Sequence, residues 1–569
     1  MIRILVLGTL TMIALPVRIL VTLMIALKRR GRSVVVWSLG GGSRPLDPPR
    51  FDKIIQGLED VAADPKIFGL RIELQGVVLG WVQLYRLRDK IAEVRAAGKR
   101  VEVHMNSAGD RELLLASAAE RVSMSPASEL YLVGVAAPAR FYGTALDRLD
   151  VVVDLESAGA YKSFGESYTR SQPTVANREA MEHLLGDLHD RFCVTLADER
   201  GIQRHEVDAA LAAAPLSASD GLARKLIDAV AYDDQDWEAW TEHLGGEARM
   251  VDFGSYTRLR RIQRRIPTLR SRPKLIGVVY LEGPVVERAA QMARSRRVIA
   301  SDDAVAVLDS LADQDQFDAV VISINSPGGS ALASDLIARS VAALAARKPV
   351  VAVMGNVAAS GGYYIAAKAH EIFAHPATIT GSIGVVGGKV VLGRALARLG
   401  VHTTWMGPAP DPGMMTPEAP FDDDQRRRFR QSLKRVYDRF IQVVATGRGV
   451  APEDIEAVAQ GRVWTGAQAV ENGLVDKLGL VTDAVQRAAE LAKVESGRVK
   501  PVSIRFEPPK FAMFSKMMGA QSFSLADALA SVVGGDAVLL NVLHSSPSTP
   551  MAIVPVVADQ GAWAAWSDG

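Results

Sequence analysis

AVVISINSPGGSALAS (319–334) sets the fold class: an apolar, β-branched run ends at Asn325, Pro327-Gly328-Gly329 turns the chain, and a helical pattern follows. VVAVMGNVAASGGYYIAAKA (350–369) repeats the order of strand, turn and helix, with Ser360 at the turn and Gly361-Gly362 behind it. Laid over itself at a shift of 250 residues, the chain comes into register. GLRIELQG (69–76) falls on AVVISINS, and KRVEVHMN (99–106) falls on PVVAVMGN (349–356). AAERVSMSPA (118–127) then lies over KAHEIFAHPA (368–377), and GTALDRLDV (143–151) over GRALARLGV (393–401). Gapless register over roughly eighty residues marks an internal duplication. Farther on the shift drifts slightly, with HDRF (189–192) answering YDRF (437–440).

Each copy alternates apolar strand-like runs with helical patterns, the mark of an α/β fold in which parallel strands are joined by crossover helices. At 569 residues the chain exceeds one ordinary core. The expected organisation is an N-terminal membrane anchor over 1–33, a first repeat over 34–257, a basic linker over 258–274, a second repeat over 275–505 and a tail over 506–569. Ile2 to Leu27 is almost wholly apolar and long enough to span a bilayer, and Lys28, Arg29, Arg30 and Arg32 follow it. That basic cluster, by the positive-inside tendency, places the following domain in the cytoplasm. RLRRIQRRIPTLRSRPK (258–274) reads as a solvated basic linker or exposed helix.

Hydrophobic content of 48% with 23% charged residues is that of a globular protein, and a net charge of +2 gives no reason to expect nucleic acid as a partner. The single cysteine, Cys193, excludes an intramolecular disulfide framework and a cysteine-rich metal site. It falls in an amphipathic helical pattern, LHDRFCVTLADERG, as a small buried hydrophobe.

Chemistry concentrates in the second copy. The Gly328/Gly329 turn and the Gly361 amide are candidates for an oxyanion hole, because glycine lets backbone N–H groups approach developing charge. Ser360 is either a helix N-cap or a nucleophile presented at a strand-to-helix turn. At the 250-residue shift Ser360 falls on Asp110, and Ser326-Pro327-Gly328-Gly329 falls on Gly76-Val77-Val78-Leu79, so the first copy has lost both features. A serine nucleophile needs a base: a histidine such as His370 or His375, a carboxylate, or a lysine kept neutral by burial. Lys162, in SAGAYKSFGESYTR (157–170) after the strand-like VVVDLES, has Pro412 as its counterpart. One copy holds the serine and the other the lysine, and this reciprocal loss singles out Lys162.

INSPGGS, GNVAASGGYYIAA, TITGSIGV, GRVWTGAQAVENGLVDKLG and AYKSFGESYTR together resemble the long, tandem-repeat form of signal peptide peptidase A, or protease IV, of the Clp/crotonase superfamily. The resemblance covers roughly residues 34 to 505 and implies two tandem Clp/crotonase-like repeats. It implies Ser360 as nucleophile, Lys162 as base, Ser382 as the residue orienting the lysine amine, and Gly328, Gly329 and Gly361 as the oxyanion hole. It further implies hydrolysis of apolar peptides such as released signal peptides, without metal or cofactor. The family's members form homo-oligomers, a tetramer being the expected form here, and are anchored in the inner membrane with an extracytoplasmic catalytic domain. The basic cluster after the apolar segment runs against that orientation. The competing readings are a Clp-like Ser/His peptidase, a crotonase-like acyl-CoA enzyme, and an inactive membrane scaffold.

Overall fold

The computed structural model describes residues 33–40, 48–243, 248–265, 274–288, 298–495, 499–504 and 551–553. The expected anchor over 1–33 therefore lies, but for Ser33, outside the described residues. Among the described residues no helix is long and apolar enough to cross a membrane. Of the expected tail, 551–553 is described.

The chain forms two compact units, one of residues 1–136 and 186–272, the other of 137–185 and 273–569. Chain order and compact unit thus part company at Ala137–Leu185, which belongs to the second unit although it precedes the middle of the chain.

In the first unit a six-stranded sheet has the order Arg249–Asp252, Ser33–Gly40, Ile67–Gln75, Arg100–Met105, Arg121–Met124, Ala229–Val230, with every pairing parallel. In the second unit the corresponding order is Val499–Ile504, Lys274–Glu282, Phe317–Ser326, Val350–Ala359, Glu371–Ala374, Lys477–Leu478, again all parallel. The duplication seen in the sequence is thus a duplicated sheet.

Strands of the second unit are buried on both faces, so their sequences are continuous apolar runs. Val320, Ile322 and Ile324 face the larger core together with Ala333, Ile337 and Val341 of the helix Ala331–Ala345. Ala319 and Val321 point the other way, against Ala484, Val485 and Ala488 of the helix Val481–Leu491. Each fully buried Val or Ile contributes about 1.5–3 kcal/mol over the exposed state.

The first unit's sheet carries instead a buried polar network. Arg71 Nη1 donates to Glu102 Oε2 at 2.7 Å, Ser123 Oγ to Asp236 Oδ2 at 2.5 Å, and Arg121 Nη2 to Asp236 Oδ1 at 2.8 Å. Burial, reinforced by a hydrogen bond shared with Asp236, pushes the Glu102 carboxyl well above the ordinary carboxylate range. Asp236 goes the other way: burial raises it, but hydrogen bonds from His104, Glu102, Ser123 and Arg121 outweigh burial and hold it low. A carboxyl raised on folding contributes stability that is complete below its unfolded value and is lost as pH climbs through the folded one. Glu102→Gln, which keeps an acceptor for Arg71 and a donor for Asp236 and cannot ionise on unfolding, should therefore match the melting temperature of the native chain at acid pH, exceed it at neutral pH, and flatten its decline towards alkaline pH. Glu102→Leu leaves Arg71 short of a buried partner and should cost about 3 kcal/mol. Thermal melts across pH check both.

The basic run after Arg258 is helical up to Arg265, as part of Phe253–Arg265, and Arg264 pairs with Asp60. The rest of the expected linker, apart from Lys274 at the start of a strand, lies outside the described residues.

Candidate active site

Ser360 sits where the strand Val350–Ala359 gives way to the short helix Gly361–Ala366, with φ 53° and ψ −117°. A side chain rarely tolerates that backbone, and strain of this kind is found where a nucleophile is held above strand ends. The Ser360 amide donates to the Gly381 carbonyl at 2.8 Å, and the Ser360 carbonyl accepts from Tyr364 N at 2.9 Å. The hydroxyl makes no cap hydrogen bond to the helix, so Ser360 holds the N-cap position without capping through its side chain. Its partner is Lys162 Nζ, at 3.0 Å.

Lys162 reaches this point by a route of its own. Strand Val152–Ala158 pairs antiparallel with Val385–Val391, from Val152↔Val391 to Ala158↔Val385. The chain then turns, and Tyr161 N donates to Gln460 O at 2.8 Å. The same loop holds the other side, since Ser382 N donates to Arg462 O at 2.7 Å and Gly461 N to Ile383 O at 2.8 Å. The loop Gln460–Arg462 thus fixes both Lys162 and Ser382. Beneath the strand, Arg426 pairs with Asp154 at 2.9 Å and also with Glu156, while Phe421 N donates to Asp154 Oδ2 at 2.7 Å. Sequence reading missed this bracing; its one visible trace was the acidic pair Asp154 and Glu156 inside an otherwise apolar run.

The amine has three neutral partners, Ser360 Oγ, Ser382 Oγ and Ser382 O, each at 3.0 Å. Lys162 is 4% exposed and both serines are fully buried. Burial alone holds the Lys162 ammonium well below the ordinary lysine range, with no carboxylate acting to restore it. Once neutral, the amine keeps two N–H groups for the two Ser382 oxygens and can turn its lone pair to the Ser360 hydroxyl.

The glycine turns adjoin the serine. A Cβ on Gly361 would stand 2.4 Å from Ser334 Oγ and 3.2 Å from Gly328 Cα, so the helix carrying Ser360 packs directly on the first turn. Gly329 has φ 153°, and a Cβ there would meet the Val285 carbonyl oxygen at 2.1 Å. The two amides of this turn differ. Gly328 N already donates to Ser326 Oγ at 3.1 Å, which points to Gly329 and Gly361 as the better-placed donors of the three expected from the sequence.

The histidine alternatives are engaged elsewhere. His370 Nδ1 accepts from Val350 N at 3.1 Å, and His375 Nδ1 accepts from Ala377 N at 3.0 Å. In the first unit carboxylates stand at the positions equivalent to Ser360 and Gly362. Asp110 accepts from Gly134 N at 3.0 Å, and Glu112 accepts from Val77 N at 2.5 Å and Gly109 N at 3.0 Å. Cys193 is buried with its thiol pushed up to about 11, chiefly by burial, as befits an inert core residue. It groups with His189 and Asp208 as metal-ligating types, but His189 Nδ1 already accepts the Val135 amide.

Residues 93–245 and 342–495 match the family described as Peptidase family S49. The chain is 31% identical over 471 residues to Protease 4 of Salmonella typhi, covering 80% of this chain and 74% of that protein. It is 27% identical over 526 residues to the chloroplastic serine protease SPPA of Arabidopsis thaliana, covering 90% and 76%. A putative signal peptide peptidase SppA of Enterococcus faecium is 36% identical over 181 residues, 32% of this chain and 53% of that one.

Proposed function

The chain belongs to Peptidase family S49 and is a serine peptidase, and from that premise we propose that it cuts apolar peptides with Ser360 as nucleophile and Lys162 as general base. One observation carries the reading: a buried amine with no carboxylate nearby, 3.0 Å from the hydroxyl of a serine in strained backbone.

Neutral Lys162 accepts the Ser360 proton as Oγ attacks the scissile carbonyl carbon. The carbonyl oxygen takes the negative charge and is held by the Gly361 amide and the Gly329 turn. Collapse of the tetrahedral intermediate breaks the C–N bond, and the Lys162 ammonium returns its proton to the departing amine. Ser360 is left as an acyl ester. Water then loses a proton to Lys162, attacks the ester and releases the acid, with Ser360 reprotonated. Ser382 keeps the amine aimed through both steps by accepting its N–H groups on Oγ and on the carbonyl.

Released signal peptides are the substrate class this reading favours, on the similarity to SppA proteins. Membrane attachment through the apolar run Ile2–Leu27, an extracytoplasmic catalytic domain and a homo-oligomer belong to the same proposal.

The base must be deprotonated, so kcat/KM should rise with pH and level off well short of the ordinary lysine value of 10.5, because burial shifts Lys162 downward. Peptide hydrolysis measured across pH checks this. A rise that continues unchanged to 10.5 would mean that the amine is not held neutral by burial.

A further inference from the structure

The second unit contains another sheet, in the order Ile299–Ala300, Val285–Val286, Gly328–Ser330, Met551–Ile553, Val385–Val391, Val152–Ala158. Its fourth strand comes from the far C-terminal segment. Antiparallel pairing puts Met551 opposite Ser330, Ala552 opposite Gly329 and Ile553 opposite Gly328. On its other side Met551 stands opposite Val386.

This is the ground on which a substrate must lie. Gly329 belongs to the oxyanion turn, and Val385–Val391 is the strand against which Val152–Ala158, the strand leading to Lys162, pairs. The edges of Gly328–Ser330 and Val385–Val391 do not pair with each other and are joined only through the tail strand. Adjacent strands lie about 4.8 Å apart, so the two edges flank a gap of about 10 Å, the width of one extended chain. Such a slot takes a peptide by β-augmentation, through main-chain hydrogen bonds and largely without regard to sequence.

We infer that Met551–Ile553 is a built-in competitor: the chain's own tail occupies the peptide slot beside Ser360 in cis and must leave before a substrate strand can bind. This rests on the proposed peptidase reading for its kinetic consequence, though not for its structural one. The sequence makes the occupant a weak one. Pro550 and Pro555 flank MAIV, and proline cannot donate to a ladder, so the tail strand is kept short. Tethering offsets that weakness by raising the local concentration of the tail to the order of millimolar, enough to compete with dilute peptide but not to block the site.

The test uses the full-length chain and Ala552→Pro, which removes the central N–H of the docked strand. Apolar peptide hydrolysis should show KM lowered about three- to tenfold with kcat unchanged. A synthetic peptide of residues 546–556, SPSTPMAIVPV, should inhibit the variant competitively. Hydrogen exchange at the amides of 328–330 and 385–387 should be slower in the native chain than in the variant. Equal exchange in the two proteins overturns the docking, and unequal exchange with equal KM overturns the competition. If neither protein hydrolyses peptide, the peptidase reading fails while exchange still decides whether the tail is docked.

Discussion

Lys162→Met should lose about 10⁴- to 10⁶-fold in kcat towards apolar peptides while melting at a higher temperature than the native chain. The two effects share one cause. A lysine buried at 4% exposure with only neutral partners is unfavourable for the fold and useful for the reaction, because burial is what keeps the amine a base. Its folded value lies below its unfolded one, so the unfolded chain binds more protons, and the native chain loses stability as pH falls from the ordinary lysine range towards that lowered value. Methionine carries no charge and has no such dependence. The stability gap in favour of Lys162→Met should therefore widen as pH is lowered through that window. Assays paired with thermal melts at several pH values check both limbs; an active variant, or one that melts lower at every pH, contradicts the role given to the amine.

Gly329→Ala should cost about 10²- to 10³-fold in kcat, the size of effect found on losing one oxyanion donor. The added Cβ would fall 2.1 Å from the Val285 carbonyl oxygen and 2.7 Å from its nitrogen, both backbone atoms that cannot rotate aside. The turn must shift, and φ of 153° is itself denied to alanine. Since the Gly328 amide is already given to Ser326 Oγ, the turn has no spare donor to replace it. Ser360 and Lys162 are untouched by the change, so attack is still initiated but the oxyanion is poorly held. Kinetics together with circular dichroism separate this from misfolding: a native spectrum with unaltered kcat would remove Gly329 from the oxyanion site.

The duplicated sheet was legible because strands buried on both faces must be apolar and β-branched, and AVVISINS and VVAVMGN carry that demand in plain view. Ser360 was legible from the glycines around it, since close packing of its helix on the Gly328 turn admits no side chain at 361. Lys162 came from a comparison between copies rather than from any local pattern. What the sequence hid is non-local. The antiparallel register of Val152–Ala158 on Val385–Val391, and hence the membership of residues 137–185 in the second unit, leaves no trace in periodicity. Reading the chain in order placed those residues in a first repeat running to 257. The Arg426 pairs with Asp154 and Glu156 depend on the same register, and so were invisible. The tail was equally opaque, because four residues between prolines carry no strand signal until an edge is supplied.

The most direct measurement is covalent labelling by a fluorophosphonate probe, with the modified peptide identified by mass spectrometry in the native chain, Ser360→Ala and Lys162→Met. Lys162 Nζ stands 3.0 Å from Ser360 Oγ, so the native chain should be labelled at Ser360, and the two variants should be labelled negligibly. Labelling of Lys162→Met at the native rate would show that the serine is activated by some other group.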